Sequence, residues 1–463
     1  MPNLVDSFQA SAHSLSTYQQ AIQVVSNDTT NATTPGYASQ TAVFSADSFS
    51  LAGGGAGGVS LGAVLSSRDA YAERTVQTAQ SAASYSDTLS NVLQSVEGAF
   101  PLATSNSTGG GIGGSLNQFF ASVSNLTTSP NSAANRQTFL DSANTLAASV
   151  NDTFTALDSA RSHSINQGQQ DVATLNNLVA QIQKINVAKQ QNPSARNDAG
   201  LDAQLNSDLE SISQLANVTT SENSDGTTNI YLDGQGALLL STTQNKLSGV
   251  LTGSALTGQL KILDANGGDV TSLVTGGKIG ALIQLSNTTI PGYVSQLNTF
   301  AQNLADTVNS KLTSGVDQNG NPGLALFTYD PTAPAKTLAT TAITASQVAA
   351  ATSANPGGGN NATNIFNLST AAQAGLGGVN YTSYYGNLAA LVGSDSSNAQ
   401  SSQATEQQVL SQAQNLRSNI SGVSLDTEAA KLTEYQQAYN ATGKLLNVVE
   451  QMMQTVLNIV PSN

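Results

Sequence analysis

The chain has 463 residues, of which only 10% are charged, and its formal net charge is −14. That balance excludes the basic face needed to neutralise phosphates and hence nucleic-acid binding. The absence of Cys excludes disulfides and thiolate metal sites.

The first predicted element is a helix in which Leu4, Phe8, Ser11, Leu15, Tyr18, Ile22 and Val25 alternate in steps of four and three, the a/d seam of a coiled coil. It stops in "SNDTTNATTPGY", where Asn, Thr, Pro35 and Gly36 disfavour helix. Two short alternating segments, "SQTAVF" and "VSLGAVL", flank a flexible linker, "AGGGAGG". Helical periodicity returns from Arg68, with Leu89, Val92, Val96 and Phe100 on one face. A second glycine-rich break, "STGGGIGGS", precedes a short helix carrying Leu116, Phe119, Phe120 and Val123. Ser129 and Pro130 read as N-cap and first position of the longest helix. Its buried face runs through Phe139, Ala143, Leu146, Val150, Phe154 and Leu157, then Val172, Leu175, Val179 and Ile182. Only Gly168 interrupts about sixty residues, a helix on the order of 90 Å long.

Periodicity then changes to two. "TTNIYL", "ALLLST" and "GQLKIL" read as strands separated by turn sequences. Helix resumes through Ile283, Val294, Leu297, Leu304 and Val308, residues 323–365 read as extended and irregular, and helix returns from about 400. The last seam is Leu432, Tyr435, Tyr439, Thr442, Leu446, Val449, Met453, Val456 and Val460. The expected architecture is mainly α with β insertions, an elongated multidomain rod of roughly three domains. Residues 1–36 and 428–463 form a terminal α-helical coiled coil. Residues 37–216 and 276–427 form a long-helix bundle domain with extended and β segments, and 217–275 a small β domain. Ser11 and Thr442 thin the two seams, so the pair is expected to order fully only when neighbouring subunits cover it. The bland alternative is two helices packed on an ordinary core.

No chemistry stands out. G-x-G-x-x-G occurs at Gly53–Gly58 and Gly109–Gly114, but neither match has the strand, helix and acidic partner of a dinucleotide site, and both read as linkers. His13 and His163 have no metal-ligand spacing around them. "DQNGN" at Asp317–Asn321 resembles the front of a calcium loop but puts Pro322 where the glycine is needed, and reads as a turn. There is no G-x-S-x-G elbow. The expectation is no catalytic, cofactor-binding or metal residue and no enzyme activity. No run approaches the ~18–20 apolar residues of a membrane span. The first Lys or Arg is Arg68, which leaves no basic region for a cleaved signal peptide. The protein is then either cytoplasmic or exported by a route that reads something else.

"SNDTTNATTPGYASQT", with Asn31, Pro35, Gly36 and Tyr37, resembles the shared motif of bacterial flagellar rod, hook and hook-associated proteins, the axial family. "SNISGVSLDTEAAKLTEYQQAYNATGKLLNVVEQMMQTVLNIV" is similar to its C-terminal counterpart. "RNDAGLDAQLNSDLESISQLANV", "DGTTNIYLDGQGALLLS" and "GVDQNGNPGLALF" bring the likeness closest to the hook–filament junction, in order through nearly the whole chain. One departure is Ser39, where an Arg commonly follows the "GY". The resemblance implies a structural protein, extracellular and without cofactors, that polymerises through its terminal helices. It also implies partners: other copies of itself, the hook protein, the adjacent junction protein (hook-associated protein 3), a chaperone on the C-terminal segment and the flagellar type III export apparatus. The rivals are hook-associated protein 3 itself or another axial protein, then a type III-secreted adhesin or translocator, or an enzyme on a helical scaffold.

Overall fold

The computed structural model describes residues 2–50, 55–101, 110–253 and 258–459. The chain opens with α1 (Pro2–Thr30), then β1 (Gln40–Ala46), β2 (Phe49–Ser50), β3 (Gly55–Ala56) and β4 (Val59–Ser66). Helices α2 (Ala70–Glu97), α3 (Gly111–Thr128), α4 (Ala133–Gln191) and α5 (Ala199–Leu215) follow. Six strands come next: β5 (Val218–Glu222), β6 (Thr228–Leu232), β7 (Gly236–Leu240), β8 (Thr243–Gln244), β9 (Ser248–Thr252) and β10 (Gln259–Leu263). The remainder is α6 (Gly277–Gln284), α7 (Ile290–Thr313), β11 (Phe327–Thr328), α8 (Pro334–Thr337), β12 (Ala339–Thr340), α9 (Asn360–Phe366), α10 (Tyr381–Ser421) and α11 (Leu425–Ile459). This is the expected mainly α class with small β insertions. Among the described residues no helix is long and apolar enough to cross a membrane.

Two compact units are formed. One comprises Met1–Ser81, Leu175–Lys246 and Gln407–Asn463; the other comprises Ala82–Thr174 and Leu247–Glu406. Three of the four divisions fall inside α2, α4 and α10, and the fourth between β8 and β9.

The second unit holds the larger core. The predicted face of α4 from Phe139 to Leu157 is buried there with Leu116, Phe119 and Val123 of α3, Leu297, Phe300 and Leu304 of α7, and Tyr381, Leu388 and Val392 of α10. Each such side chain contributes roughly 1.5–3 kcal/mol through burial. Gly168 has a packing reason: a Cβ there would meet Leu260 Cδ2 of β10 at 2.6 Å. Between α6 and α7 the helix widens into a π turn at 285–289. Pro291 follows at once, where its ring and missing N–H disrupt the ordinary ladder.

Several boundaries differ from the sequence reading. Gly111, Gly113 and Gly114 lie in the first turn of α3 rather than in a break, because Ile112 and Leu116 anchor that turn in the core. Ser129 is the C-cap of α3, and α4 begins at Ala133 behind Ser132, whose Oγ accepts from Asn135 N at 3.3 Å. Helix α10 starts at Tyr381, not near 400, since Tyr381, Tyr385, Leu388, Val392 and Ala399 already pack as one stripe.

The strands expected over 217–275 make two separate sheets. Strands β5–β8 form a four-stranded antiparallel sheet, and β9 pairs with β10 separately. Each is pinned to a different stretch of α4. Asn186 Nδ2 donates to Thr228 O (2.8 Å) and Ser241 O (2.6 Å), and its Oδ1 accepts from Thr228 N (2.9 Å), which fixes the first sheet. The second lies against Gly168, and Arg161 donates to the Gly258 carbonyl just before β10.

Candidate functional site

Both seam helices belong to the first unit, and they run antiparallel against each other. Ala21, Ile22 and Val25 near the end of α1 pack on Leu432 and Tyr435 near the start of α11. Farther along, Gln19 Nε2 donates to Tyr439 Oη at 3.1 Å, and Leu15 lies against Gly443. The seam that needs a partner therefore finds one in its own chain. Ser11 and Thr442, the two small residues in the seams, line a cleft of about 460 Å³ with Tyr18, Leu445 and Val449. Short side chains opposite one another leave that space unfilled.

A third layer covers the pair. Strand β1 pairs antiparallel with β4, and Phe44 of β1 sits between Tyr18 (ring centroids 5.7 Å) and Tyr435 (5.5 Å, edge-to-face). Thr17 Oγ1 donates to Val59 O at 3.2 Å, and Val59 N donates to Ser14 Oγ at 3.0 Å. The most buried line on α1 is thus Ser11, Ser14, Thr17, Ala21, Val25 and Asp28. Apolar periodicity hides this line because most of it is small or polar; its spacing of three and four is the signal that could have found it.

Of the residues expected at an assembly interface, Val25, Tyr435 and Val449 are buried; Leu4, Phe8, Leu15, Tyr18, Ile22, Leu432, Tyr439, Leu446 and Met453 are partly buried. Val456 is exposed, and Val460 lies outside the described residues. Beside the covered seam of α11 runs a second apolar stripe that faces out: Leu445 (55% exposed), Val448 (53%), Met452 (52%) and Leu457 (63%).

The "TTPGY" loop forms the joint between α1 and the hairpin. Asn31 Nδ2 donates to Asn27 O at 2.9 Å and closes the last turn of α1, while Thr34 Oγ1 donates to Asn31 Oδ1 at 3.0 Å. Pro35 is exposed, whereas Gly36 adopts φ +73° and lies against α5. Tyr37 Oη donates to Asp28 Oδ1 at 2.6 Å, and Gln40 N donates to Asp28 Oδ2 at 2.8 Å. Burial pushes the Asp28 carboxyl above its ordinary value, against those two donors. Burial and the neighbouring carboxylate likewise hold the Tyr37 phenol protonated.

An ion network ties this joint to three helices. Arg68 donates to Gly36 O, to Glu73 of α2 and, at 2.7 Å, to Asp202 of α5. Arg417 of α10 donates to Glu73 at 3.3 Å and to Glu210 of α5 at 2.9 Å. Ser39, the departure noted in the sequence, places its Oγ 2.6 Å from Ser67 Oγ and donates its N–H to Ser421 O at 2.9 Å. Replacing Arg68 with Ala is expected to destabilise this unit by roughly 2–4 kcal/mol, because Glu73 loses one of its two cations in a largely buried place. Arg68→Lys, a point charge with a shorter reach, should recover only part of it. Urea unfolding at constant ionic strength measures both; equal stability of wild type and Arg68→Ala would show that the network adds nothing.

Elsewhere the chemistry is sparse. Among the described residues no group of His, Asp and Glu is gathered to hold a metal ion. Asp317 turns inward on its own loop, its Oδ1 accepting from Asn319 N and Asn321 N at 2.8 Å each. Gly53 and Gly109 of the two glycine-rich matches lie outside the described residues.

Residues 102–327 match the flagellar hook-associated protein FlgK helical domain, and 414–459 match the flagellar basal body rod FlgEFG protein C-terminal domain. The flagellar hook-associated protein 1 sequences of Salmonella typhimurium and Salmonella typhi are each 26% identical to the chain over 327 residues. The match covers 68% of this chain and 57% of theirs, so it spans little more than half the length of those relatives. The fold resembles the flagellar hook junction protein FlgK from Burkholderia pseudomallei, with a TM-score of 0.66 at 14% identity, covering 75% of this chain and 100% of that one. A helical domain of that kind combined with a rod-type C-terminal helix is the combination that resembles axial proteins of the bacterial flagellum. Within that class the matched regions are similar to flagellar hook-associated protein 1.

Proposed function

We propose that this protein is a structural subunit of the hook–filament junction, which polymerises through α1 and α11 and so joins hook to filament. The observation that carries this reading is the outward apolar stripe of α11 beside a seam that α1 already covers. Burying such a stripe against the helices of a neighbouring copy removes apolar area from water at about 25 cal/mol per Å². A contact in which this stripe meets a different patch of the neighbouring copy propagates head to tail, as a helical assembly requires.

On this reading residues 1–36 and 428–463 are the axial core. The hook protein and hook-associated protein 3 are the axial neighbours, and the location is extracellular. A chaperone holds the C-terminal segment before passage through the type III export apparatus, and keeping the stripe covered prevents early polymerisation. The role is structural and not catalytic.

The test is a double substitution, Leu445→Asp with Met452→Asp, at positions that are solvent-facing in the single chain. Its unfolding free energy should stay within about 0.5 kcal/mol of wild type, while incorporation at hook tips and motility are lost. Normal incorporation of the double variant would remove the stripe from the assembly surface.

A further inference from the structure

We propose that Asp28 is a proton-operated latch at the joint between α1 and the hairpin, closed in mild acid and loosened as pH rises. Asp28 is 0% exposed, at the last turn of α1. Both of its oxygens are engaged by the segment that leaves α1: Tyr37 Oη at 2.6 Å and Gln40 N at 2.8 Å. One side chain therefore fixes where the helix ends and where β1 begins.

The charged groups around it come from two other elements. Tyr37 faces it from the loop, and Glu428 and Lys431 face it from α11. Glu428 is 2% exposed; its Oε1 accepts from Lys431 Nζ at 2.8 Å, and its Oε2 is buried without a partner. Two buried carboxylates thus share a single ammonium, itself already engaged by one of them. Ionised, Asp28 carries a desolvated negative charge close to another. Neutral, it keeps the Gln40 N–H on its carbonyl oxygen and turns the Tyr37 bond round, its own O–H donating to Tyr37 Oη, without that cost.

The direction of the pH effect follows. Burial, the largest cause, and then the Glu428 charge raise the Asp28 carboxyl in the closed joint, while Tyr37, Gln40 and Lys431 oppose the rise. A carboxyl raised in the folded form binds more protons than the same group in the opened joint. The closing free energy it contributes is complete below the ordinary value of about 3.9 and is lost as pH climbs through the raised value.

Hydrogen exchange at the Gln40 amide, measured on the full chain from pH 4 to pH 8 and corrected for intrinsic exchange, reads the opening directly. Wild-type protection should fall over that range by about tenfold for each unit by which the carboxyl is raised. Asp28→Asn imitates the neutral acid and should hold its protection constant. Constant protection in wild type, or an equal fall in Asp28→Asn, overturns the latch. Should Asp28→Asn not fold, Glu428→Gln decides. It leaves the Tyr37 and Gln40 bonds in place and removes the facing charge, so the fall should shrink and move to lower pH; an unchanged fall overturns the proposal.

Discussion

Replacing Gly36 with Ala should destabilise the unit that carries the two seam helices by roughly 3–4 kcal/mol. The backbone at Gly36 has φ +73°, a conformation that costs an L-residue about 1–2 kcal/mol. Space is the larger problem. A Cβ would lie 2.4 Å from Ala203 O and 2.9 Å from Ser207 N, both backbone atoms of α5 that cannot rotate away. The loop must lift off α5, and the Gly36 carbonyl then leaves Arg68, which loses one of its three acceptors. Hydrogen exchange over 40–66 reports the loss, and exchange over 112–157 serves as the internal reference in the other unit. Wild-type protection at the hairpin in the Gly36→Ala protein would show that the loop moves freely against α5.

A second large effect is expected for Val449→Asp. Val449 is buried at the α1–α11 contact, and α1 contains no Lys or Arg to meet a new carboxylate. Loss of the apolar side chain together with desolvation of the charge should cost the helix pair roughly 3 kcal/mol or more. Leu446→Asp, at a partly buried position, should cost less in the single chain yet stop incorporation equally. Both variants should keep the core around Phe119, Phe139 and Phe300, because those side chains belong to the other unit. Intact-mass readout after limited proteolysis distinguishes the outcomes. A surviving fragment containing 111–174 is expected, and digestion of the whole chain would mean that the seam supports the entire fold. With the outward-facing double variant, these substitutions separate closing the pair from presenting it to a neighbour.

The seams were legible because their spacing is local: Leu15, Tyr18 and Ile22, or Tyr435 and Val449, declare a helix face without knowledge of what covers it. The long face of α4 was legible for the same reason. What escaped was whatever depends on a distant partner. Asp28 looks like one more polar residue in a polar run until Gln40 and Tyr37 fold back on it. Arg68 meets Asp202 across 134 positions, and only the folded chain brings them to 2.7 Å. The Ser14 and Thr17 hydroxyls escaped because the pattern sought was apolar, while a strand edge asks for donors and acceptors. The start of α10 was missed for a related reason. Tyr381, Tyr385 and Leu388 keep helical spacing, but Gly386 and the surrounding Asn and Ser residues conceal it. One small β domain was expected where two separate sheets form, since nothing in "ALLLST" or "GQLKIL" says which stretch of α4 each will lie against.

The bond between Gln19 and Tyr439 joins residues 420 positions apart. Closing a loop of that length in an unstructured chain costs on the order of 5 kcal/mol in entropy. Contacts that span nearly the whole sequence also form late, after local ones have shortened the search. The helix pair is therefore expected to close last and, by the same topology, to open first. Under the proposed export route, a chain passing end-on through a narrow conduit keeps this contact broken for the entire transit. It regains it only once residues from both extremes stand on the same side, so the order of emergence acts as a timer on when the pair can exist.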